Sequence, residues 1–480
     1  MLFRRQRAPD LAPAHEALAK GQYEVAFAVL ESAVKRGGAR GNQGPMWLQL
    51  AEVYALYGDE GLGNGQPALR SAVSTDPKLG SHPLYRALFW EFAAYRGAAL
   101  SDVKRGLKDV PERPPEVPGG GPSDAFDAVA SYHAAAALFA VDAAKSAGRR
   151  LRAIEEGALP VYLEWRRWSL VGQCSEALGE WEGAADAFAR SVQLAPELER
   201  DAERLSLAGA LVELFRTEEA LENLAAVEAT ALQAEELAVY HYLQGRAHLD
   251  LDNPNLALEH LREAASADAE LGGATYSVAF ATAQALSAAG RPEEATVAFE
   301  RALANVPAEH RAFTQHEAAY ALIECDRLEE AGALLGEVVT DPTYSHRADA
   351  LADLADVRLR CGELDSARTL AQEALELGAT APACITLGSV AFEYYHLEDA
   401  AAWYEQALSA SQTGDPFWVA AQQMLADVYA QMGDGYVARV LQHARAALEH
   451  TEAGSEWYLP LKQYVDDAKS RLGGFERVLN

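Results

Sequence analysis

Cysteine is scarce in this sequence, and long apolar runs are absent. The 480 residues include four cysteines, none of them in a CxxC arrangement, so the chain shows no disulfide framework. Cys325 and Cys361 fall at equivalent positions of a repeat described below, and we expect both to be small core residues. No run of about 18 apolar residues occurs, so no transmembrane helix is expected. The basic N-terminus lacks the apolar run of a secretory signal, and we predict a cytoplasmic protein.

Lysine is also scarce, and acidic residues are in excess. Of the 41 basic residues eight are lysines, a bias that, with the abundant alanine, suggests a GC-rich bacterial genome. The net charge of −30 is unevenly placed: residues 1–170 carry 21 basic and 19 acidic side chains, and residues 171–480 carry 20 and 52. Because phosphate contacts dominate nucleic-acid affinity, the acidic part argues against broad nucleic-acid binding. It favours either solubility or a cationic partner.

Motifs for catalysis or cofactor binding are missing as well. The segment "HEAAY", which begins at His316, lacks the second histidine of a zinc-protease helix. The segment "GLGNGQ" at 61–66 lacks the final glycine of a dinucleotide-binding turn, and no GxSxG motif occurs. We therefore predict no catalytic residue, no metal site and no cofactor, and a protein that is not an enzyme.

What the sequence does contain is a repeated packing pattern, clearest in residues 168–196. Five residues have the spacing W-x3-G, A-x3-F and P: Trp168, Gly172, Ala184, Phe188 and Pro196. Two antiparallel helices can approach closely where the small residues meet, and large residues fill the space around that contact. The pattern resembles the tetratricopeptide repeat, a 34-residue helix–turn–helix unit. It departs from that repeat at Val171 and Ser175, where leucine and tyrosine are usual.

The same frame recurs along residues 162–450. The alanines of the second helices mark it: Ala184, Ala220, Ala257, Ala295, Ala331, Ala367, Ala400 and Ala438. Steps of 33 to 38 residues separate them, which fits a 34-residue unit with slightly longer turns. The composition predicts an all-α protein. The resemblance implies a right-handed α-solenoid of stacked helix–turn–helix repeats, with a more irregular helical N-terminal part.

Domain boundaries follow from where the pattern is clear. Residues 1–110 are predicted to form a helical region with one or two divergent repeats. Residues 111–124, rich in Pro and Gly, are predicted to be a linker. Residues 125–160 are expected to form a helical pair outside the consensus, and 161–450 about eight repeats. Residues 451–480 are expected to be a closing helix.

The resemblance also implies where a partner binds. Proteins of this family usually bind peptides on a concave face lined by the first helices of the repeats. With the Gly or Ala of each first helix as position eight, positions two, five, nine and twelve face that groove. They give these partner-binding residues: Arg166, Gln173, Tyr242, Arg246, Phe280, Gln284, Phe313, His316, Tyr320, Asp356 and Phe392. Exposed aromatic residues would anchor a partner. Two alternatives stay open: with a frame shifted by one residue they would pack between helices, or the superhelix closes on itself and covers them.

Three functional hypotheses stay open. The leading one is a non-enzymatic scaffold or adaptor that binds a protein or peptide segment, with a cationic partner favoured by the acidic residues. The second is a regulatory protein whose N-terminal helical module is the effector and whose acidic repeats act as sensor or docking arm. The third is a cryptic enzyme.

Overall fold

The described residues are helical throughout. The computed structural model describes residues 12–36, 43–57, 59–112, 127–272 and 275–478. In these ranges the chain forms α-helices joined by turns and short 3-10 segments, and none of them is a β-strand. The predicted all-α class is confirmed. Most of the predicted linker, residues 113–124, lies outside the described ranges. No helix in those ranges is long and apolar enough to cross a membrane.

The chain divides into two compact units, Met1–Leu271 and Gly272–Asn480. Each is built from pairs of antiparallel helices, called here the first and second helix of a pair. The described part of the N-terminal unit contains seven pairs: α1/α2 (Ala12–Ala19, Tyr23–Arg36), α3/α4 (Gly44–Leu56, Asp59–Thr75), α5/α6 (Pro83–Ala94, Leu100–Gly106), α7/α8 (Ala128–Phe139, Ala144–Arg152), α9/α10 (Val161–Glu176, Trp181–Leu194), α11/α12 (Glu197–Glu213, Thr217–Leu224) and α13/α14 (Ala234–Asp250, Pro254–Glu270).

The C-terminal unit contains five pairs and a closing helix among its described residues: α15/α16 (Tyr276–Ala288, Pro292–Ala304), α17/α18 (Arg311–Glu324, Leu328–Val338), α19/α20 (Arg347–Arg360, Leu364–Glu376), α21/α22 (Thr380–Glu393, Leu397–Ala410), α23/α24 (Pro416–Met432, Val437–Leu448) and α25 (Tyr458–Val478). Local sequence sets where several of these helices start. Pro292 begins α16 and is followed by two acidic residues in the first turn. At this position a proline loses no helical hydrogen bond, and carboxylates interact favourably with the positive end of the helix dipole. Asp415 caps α23 by accepting a hydrogen bond from the Trp418 N–H at 2.8 Å.

The turn inside the pairs has one recurring geometry. A residue with a left-handed φ of 55° to 85° follows the first helix at ten places: Gly21, Gly97, Asp142, Gly179, Phe215, Asp252, Gly290, Asp326, Gly362 and Tyr395. In one example the Gly179 N–H donates to the Glu176 carbonyl at 2.9 Å and the Glu180 N–H to that of Ser175 at 2.8 Å. Both bonds satisfy carbonyls that the helix end leaves open. The pair α7/α8, which the sequence predicts as a helical pair outside the repeat consensus, shares this turn through Asp142.

Small residues meet large ones where the two helices of a pair touch. A Cβ atom placed on Gly172, Gly245 or Gly388 would lie 2.6 Å from the side chain of Phe188, Leu261 or Tyr404, respectively. No real Cβ comes that close, so these glycines let the helices approach. In the pair α5/α6 the large residue is on the first helix and the small one on the second. Trp90 of α5 lies against Gly106 of α6, and a Cβ atom placed on Gly106 would lie 1.8 Å from the Trp90 side chain.

In the N-terminal unit the first helix packs against a helix much later in the chain, because α1 contacts α9. The Tyr23 hydroxyl donates to Glu199 Oε1 at 2.8 Å, and the ring of His15 lies 5.8 Å from that of Tyr162. The unit also contains a buried polar pair between α5 and α7. His133 Nδ1 lies 2.7 Å from Glu91 Oε2, with both side chains buried.

The expectation for two cysteines is wrong. Cys361 is exposed and Cys325 is half-buried. Both are the residues that end a first helix, directly before the left-handed turn residue, and that position lies at the edge of the repeat. The buried cysteines are Cys174 and Cys384, which lie inside first helices.

Candidate functional site

Arg166, predicted to face a partner, is buried in the N-terminal unit. Its guanidinium donates to the Tyr162 carbonyl at 2.8 Å and lies 5.3 Å from the centre of the Tyr23 ring. Burial lowers the pKa of Arg166 to about 10, although Glu199 and Glu203 oppose the shift. The return of α1 and α2 onto α9 fills the space that a ligand would need next to this side chain.

The other predicted residues of the N-terminal unit are half-buried. Gln173 donates to Ser169 Oγ at 3.3 Å along its own helix. Arg246 likewise donates to the Tyr242 hydroxyl at 3.1 Å. Both contacts are local, since each joins residues four positions apart within one helix, α9 or α13.

In the C-terminal unit the structure brings most of the predicted residues together on α15, α17 and α19. Phe313 and Tyr320 stand seven residues apart on one side of α17 and are 39% and 45% exposed. Phe280 is half-buried, with its ring 5.8 Å from that of Phe313 and 5.9 Å from that of Phe299 in the core. Gln284 is half-buried too, and its Nε2 lies 3.5 Å from Glu317 Oε2. Phe313 and Tyr320 are therefore the accessible rings, and Phe280 packs against Phe313.

A hydrogen-bond network holds the ring of Tyr320 in place. The Tyr320 hydroxyl donates to Asp353 Oδ2 at 2.7 Å, and His316 Nε2 lies 2.8 Å from the same oxygen. His316 is buried, and its ring stacks on that of Tyr320 at 5.2 Å. The other imidazole nitrogen lies 3.0 Å from the Tyr344 hydroxyl. Burial, followed by the charge and hydrogen bond of Asp353, raises the pKa of Tyr320, so the phenol stays a neutral donor.

Carboxylates surround these rings without cationic partners. Glu317 and Asp349 lie close enough for their charges to raise the pKa of Tyr320 further. Within the described ranges, neither they nor Asp353 nor Asp356 forms an ion pair with an arginine or lysine; Asp353 pairs with His316 and Asp349 with His346. Burial raises the pKa of Asp356, which Arg360 opposes. We call Phe313, Glu317, Tyr320, Asp349 and Asp353 the aromatic–acidic face.

Phe392, the last predicted residue, lies apart from this face. It is half-buried at the end of α21 and packs on the cluster around Tyr404 and Tyr429. Whether any of the predicted residues contacts a partner stays a prediction.

Comparisons with known proteins give similarities of fold. No protein-family model matches the sequence, and no curated protein sequence matches it. Among solved structures, a chain of the APC/C hetero-tetramer Cut9–Hcn1 is 14% identical with a TM-score of 0.44, over 95% of each chain. The apo form of the quorum sensor NprR from B. thuringiensis is 13% identical with a TM-score of 0.47, over 64% of this chain and 97% of that one. PilF from Pseudomonas aeruginosa is 17% identical with a TM-score of 0.38, over 48% and 98%.

At such identities and TM-scores these similarities carry no argument about function. The helix pairs themselves decide the fold, because the left-handed turn returns every 33 to 38 residues from Asp142 to Tyr395 and small residues face large ones across the pairs. The chain has the tetratricopeptide-repeat fold. The resemblance inferred from the sequence is thereby confirmed.

Sequence reasoning missed one cluster, three histidines in the repeat formed by α13 and α14. His241 Nδ1 lies 3.2 Å from His260 Nδ1, and the ring of His248 stacks on that of His260 at 5.5 Å. His260 belongs to the second helix, so no spacing within one helix shows the contact. Within the described ranges, no group of three or more His, Cys, Asp or Glu side chains is arranged to hold a metal ion.

The cluster predicts a loss of stability in acid. Burial lowers the pKa of all three imidazoles, with mutual repulsion adding at His260 and with Glu259 and Glu263 opposing. The unfolded chain therefore binds more protons below the usual histidine pKa of about 6.5, and stability falls as the pH falls through that range. We expect amide exchange of α13 and α14, corrected for intrinsic rates, to rise between pH 7.5 and 5.5. A His260→Asn variant should lose less protection, and an equal loss in both proteins would contradict the assignment.

Proposed function

We propose that the protein is an interaction scaffold whose aromatic–acidic face binds a partner segment carrying an arginine or lysine next to an apolar side chain. The observation that carries this proposal is the pair of exposed rings, Phe313 and Tyr320, set among carboxylates that have no arginine or lysine partner within the described ranges. Exposed aromatic side chains are typical anchors of binding surfaces. Unneutralised carboxylates favour a cationic ligand.

Preorganisation of Tyr320 supports the proposal. Its hydroxyl is fixed by Asp353 and its ring by His316, so little side-chain entropy is left to lose when a partner binds. A cation placed over the ring would lie beside Asp353 and Asp349, where ring and carboxylates attract it together. An apolar neighbour in the partner would then reach the ring of Phe313.

The test uses peptides selected from a phage-displayed library of random 12-residue sequences on the full-length protein. We expect the selected peptides to contain arginine or lysine beside an apolar residue. Their affinity should fall by at least about 30-fold in the Phe313→Ser/Tyr320→Ser variant, which corresponds to about 2 kcal/mol for a hot spot. Affinity should also fall with rising salt, because the attraction is partly electrostatic.

Matched variants separate binding from folding. Phe417→Ser removes a ring that is 45% exposed at the start of α23, outside the face, and should leave the affinity unchanged. Phe280→Ser is unsuitable because Phe280 packs on the core ring of Phe299. Peptides without basic residues, or peptides that bind the double variant as tightly as the wild type, would contradict the proposal.

A further inference from the structure

The contact between the N-terminal helix pair and α9/α11 has the composition of an interface. Tyr23 lies over Arg166, and Arg166, Ser169 and Glu203 are all less than 10% exposed. Ser169 donates to Glu203 Oε1 at 2.9 Å, and within the described ranges the second oxygen, Oε2, is buried without a hydrogen-bond partner. Arg166 and Glu199 approach only to 3.8 Å. Because these buried polar groups are incompletely paired, they stabilise the contact between α1/α2 and α9/α11 only weakly.

The contact also joins segments far apart in the chain. Tyr23 and Glu199 are 176 residues apart, so holding them together restricts a long stretch of chain. Helix α1, which contacts α9, has only three buried residues, Ala14, Ala17 and Leu18, and so contributes little apolar surface to offset this cost. At the turn, the Cβ position of Gly21 is 3.5 Å from Glu199 Cγ and 3.6 Å from Leu198 Cβ.

The covered residues lie on first helices. Arg166 belongs to α9 and Glu199 to α11, and Arg166 is at a position where the repeat frame places a ligand contact. The Tyr23 side chain supplies an aromatic ring to Arg166 and a hydroxyl donor to Glu199. The helix pair α1/α2 thus occupies this surface in the way that a bound segment would.

We propose that the helix pair α1/α2 acts as an intramolecular ligand of the face that the first helices α9 and α11 form. The pair detaches from this face while the rest of the N-terminal unit stays folded. Opening exposes Arg166 and Glu199 to a partner segment that presents a tyrosine in place of Tyr23. The contact is then an autoinhibitory one, and it is independent of the aromatic–acidic face in the C-terminal unit.

Hydrogen exchange of the full-length protein, followed by mass spectrometry of its peptides, tests the proposal. In Tyr23→Ala, exchange should rise about tenfold or more in peptides that cover residues 12–36 and 162–170, with α5 and α7 unchanged. Tyr23→Phe keeps the ring over Arg166 and loses only the hydrogen bond, so it should give a smaller rise. Glu16→Gln removes an exposed ion pair with Lys20 within α1 and should have no effect.

Two results would overturn the proposal. If exchange in α5 and α7 rises together with that of α1 and α9, the contact is part of one cooperative core and does not open by itself. If Tyr23→Ala leaves exchange at α1 and α9 unchanged, Tyr23 does not hold the contact closed.

Discussion

Replacement of Glu91 by alanine is expected to destabilise the N-terminal unit by about 3–5 kcal/mol, the range for breaking a buried ion pair by removing one partner. Glu91 and His133 are 3% and 0% exposed and face each other across α5 and α7. Burial acts to lower the pKa of His133, but the charge and hydrogen bond of Glu91, together with the charges of Glu52 and Asp127, outweigh it and raise that pKa overall. Without Glu91 the imidazole stays buried with neither nitrogen paired, since Nε2 already lacks a partner among the described residues.

The measurement is urea unfolding of the full-length protein, with hydrogen exchange at α5 and α7 to assign the transition that changes. The double variant Glu91→Leu/His133→Leu serves as the control, because replacing a whole buried pair by apolar residues is often close to neutral. A single variant that costs less than about 1 kcal/mol, or a double variant as unstable as the single one, would show that the pair contributes little.

Gly172→Ala is expected to cost about 1–3 kcal/mol, the usual penalty for overpacking a well-packed contact. The added Cβ would lie 2.6 Å from Cε1 of Phe188, and both helices are packed on further neighbours, so neither can retreat freely. Thermal and urea unfolding of the full-length protein would measure the loss. Adding Phe188→Leu to Gly172→Ala should restore part of the stability by shortening the opposing side chain.

Gly336→Ala provides the matched control for this substitution. Gly336 lies inside helix α18, and a Cβ there would have no neighbour within 4 Å. Alanine should therefore stabilise the helix by up to about 1 kcal/mol through its higher helix propensity. If both substitutions destabilise the protein equally, close helix approach at Gly172 is not the cause.

The sequence predicts the repeat well because side-chain size is visible in it. Gly172 opposite Phe188 and Gly388 opposite Tyr404 follow a spacing that the packing of two helices requires. The turn is harder to read, because the left-handed positions of Phe215 and Tyr395 carry bulky residues where glycine costs least. The α5/α6 pair is hidden for another reason: Trp90 and Gly106 exchange the usual large and small positions.

The candidate site could be predicted only in part. The repeat frame selects Phe313, His316 and Tyr320 correctly as neighbours on one first helix, since that relation is local. It does not show that Phe280 leans on Phe299, because that depends on the rotamer and on the second helix. Nor does it show that Arg166 is buried, because the helix pair that covers it lies more than a hundred residues earlier in the chain. The domain boundaries proposed from composition stay a prediction.

Hydrogen exchange of the full-length protein with and without a selected cationic peptide would locate the bound partner. We expect protection in peptides that cover residues 311–324 and 347–356, which carry the aromatic–acidic face, and its loss in the Phe313→Ser/Tyr320→Ser variant. Protection confined to other helices, or protection of the same segments in the double variant, would contradict the claim that this face binds the partner.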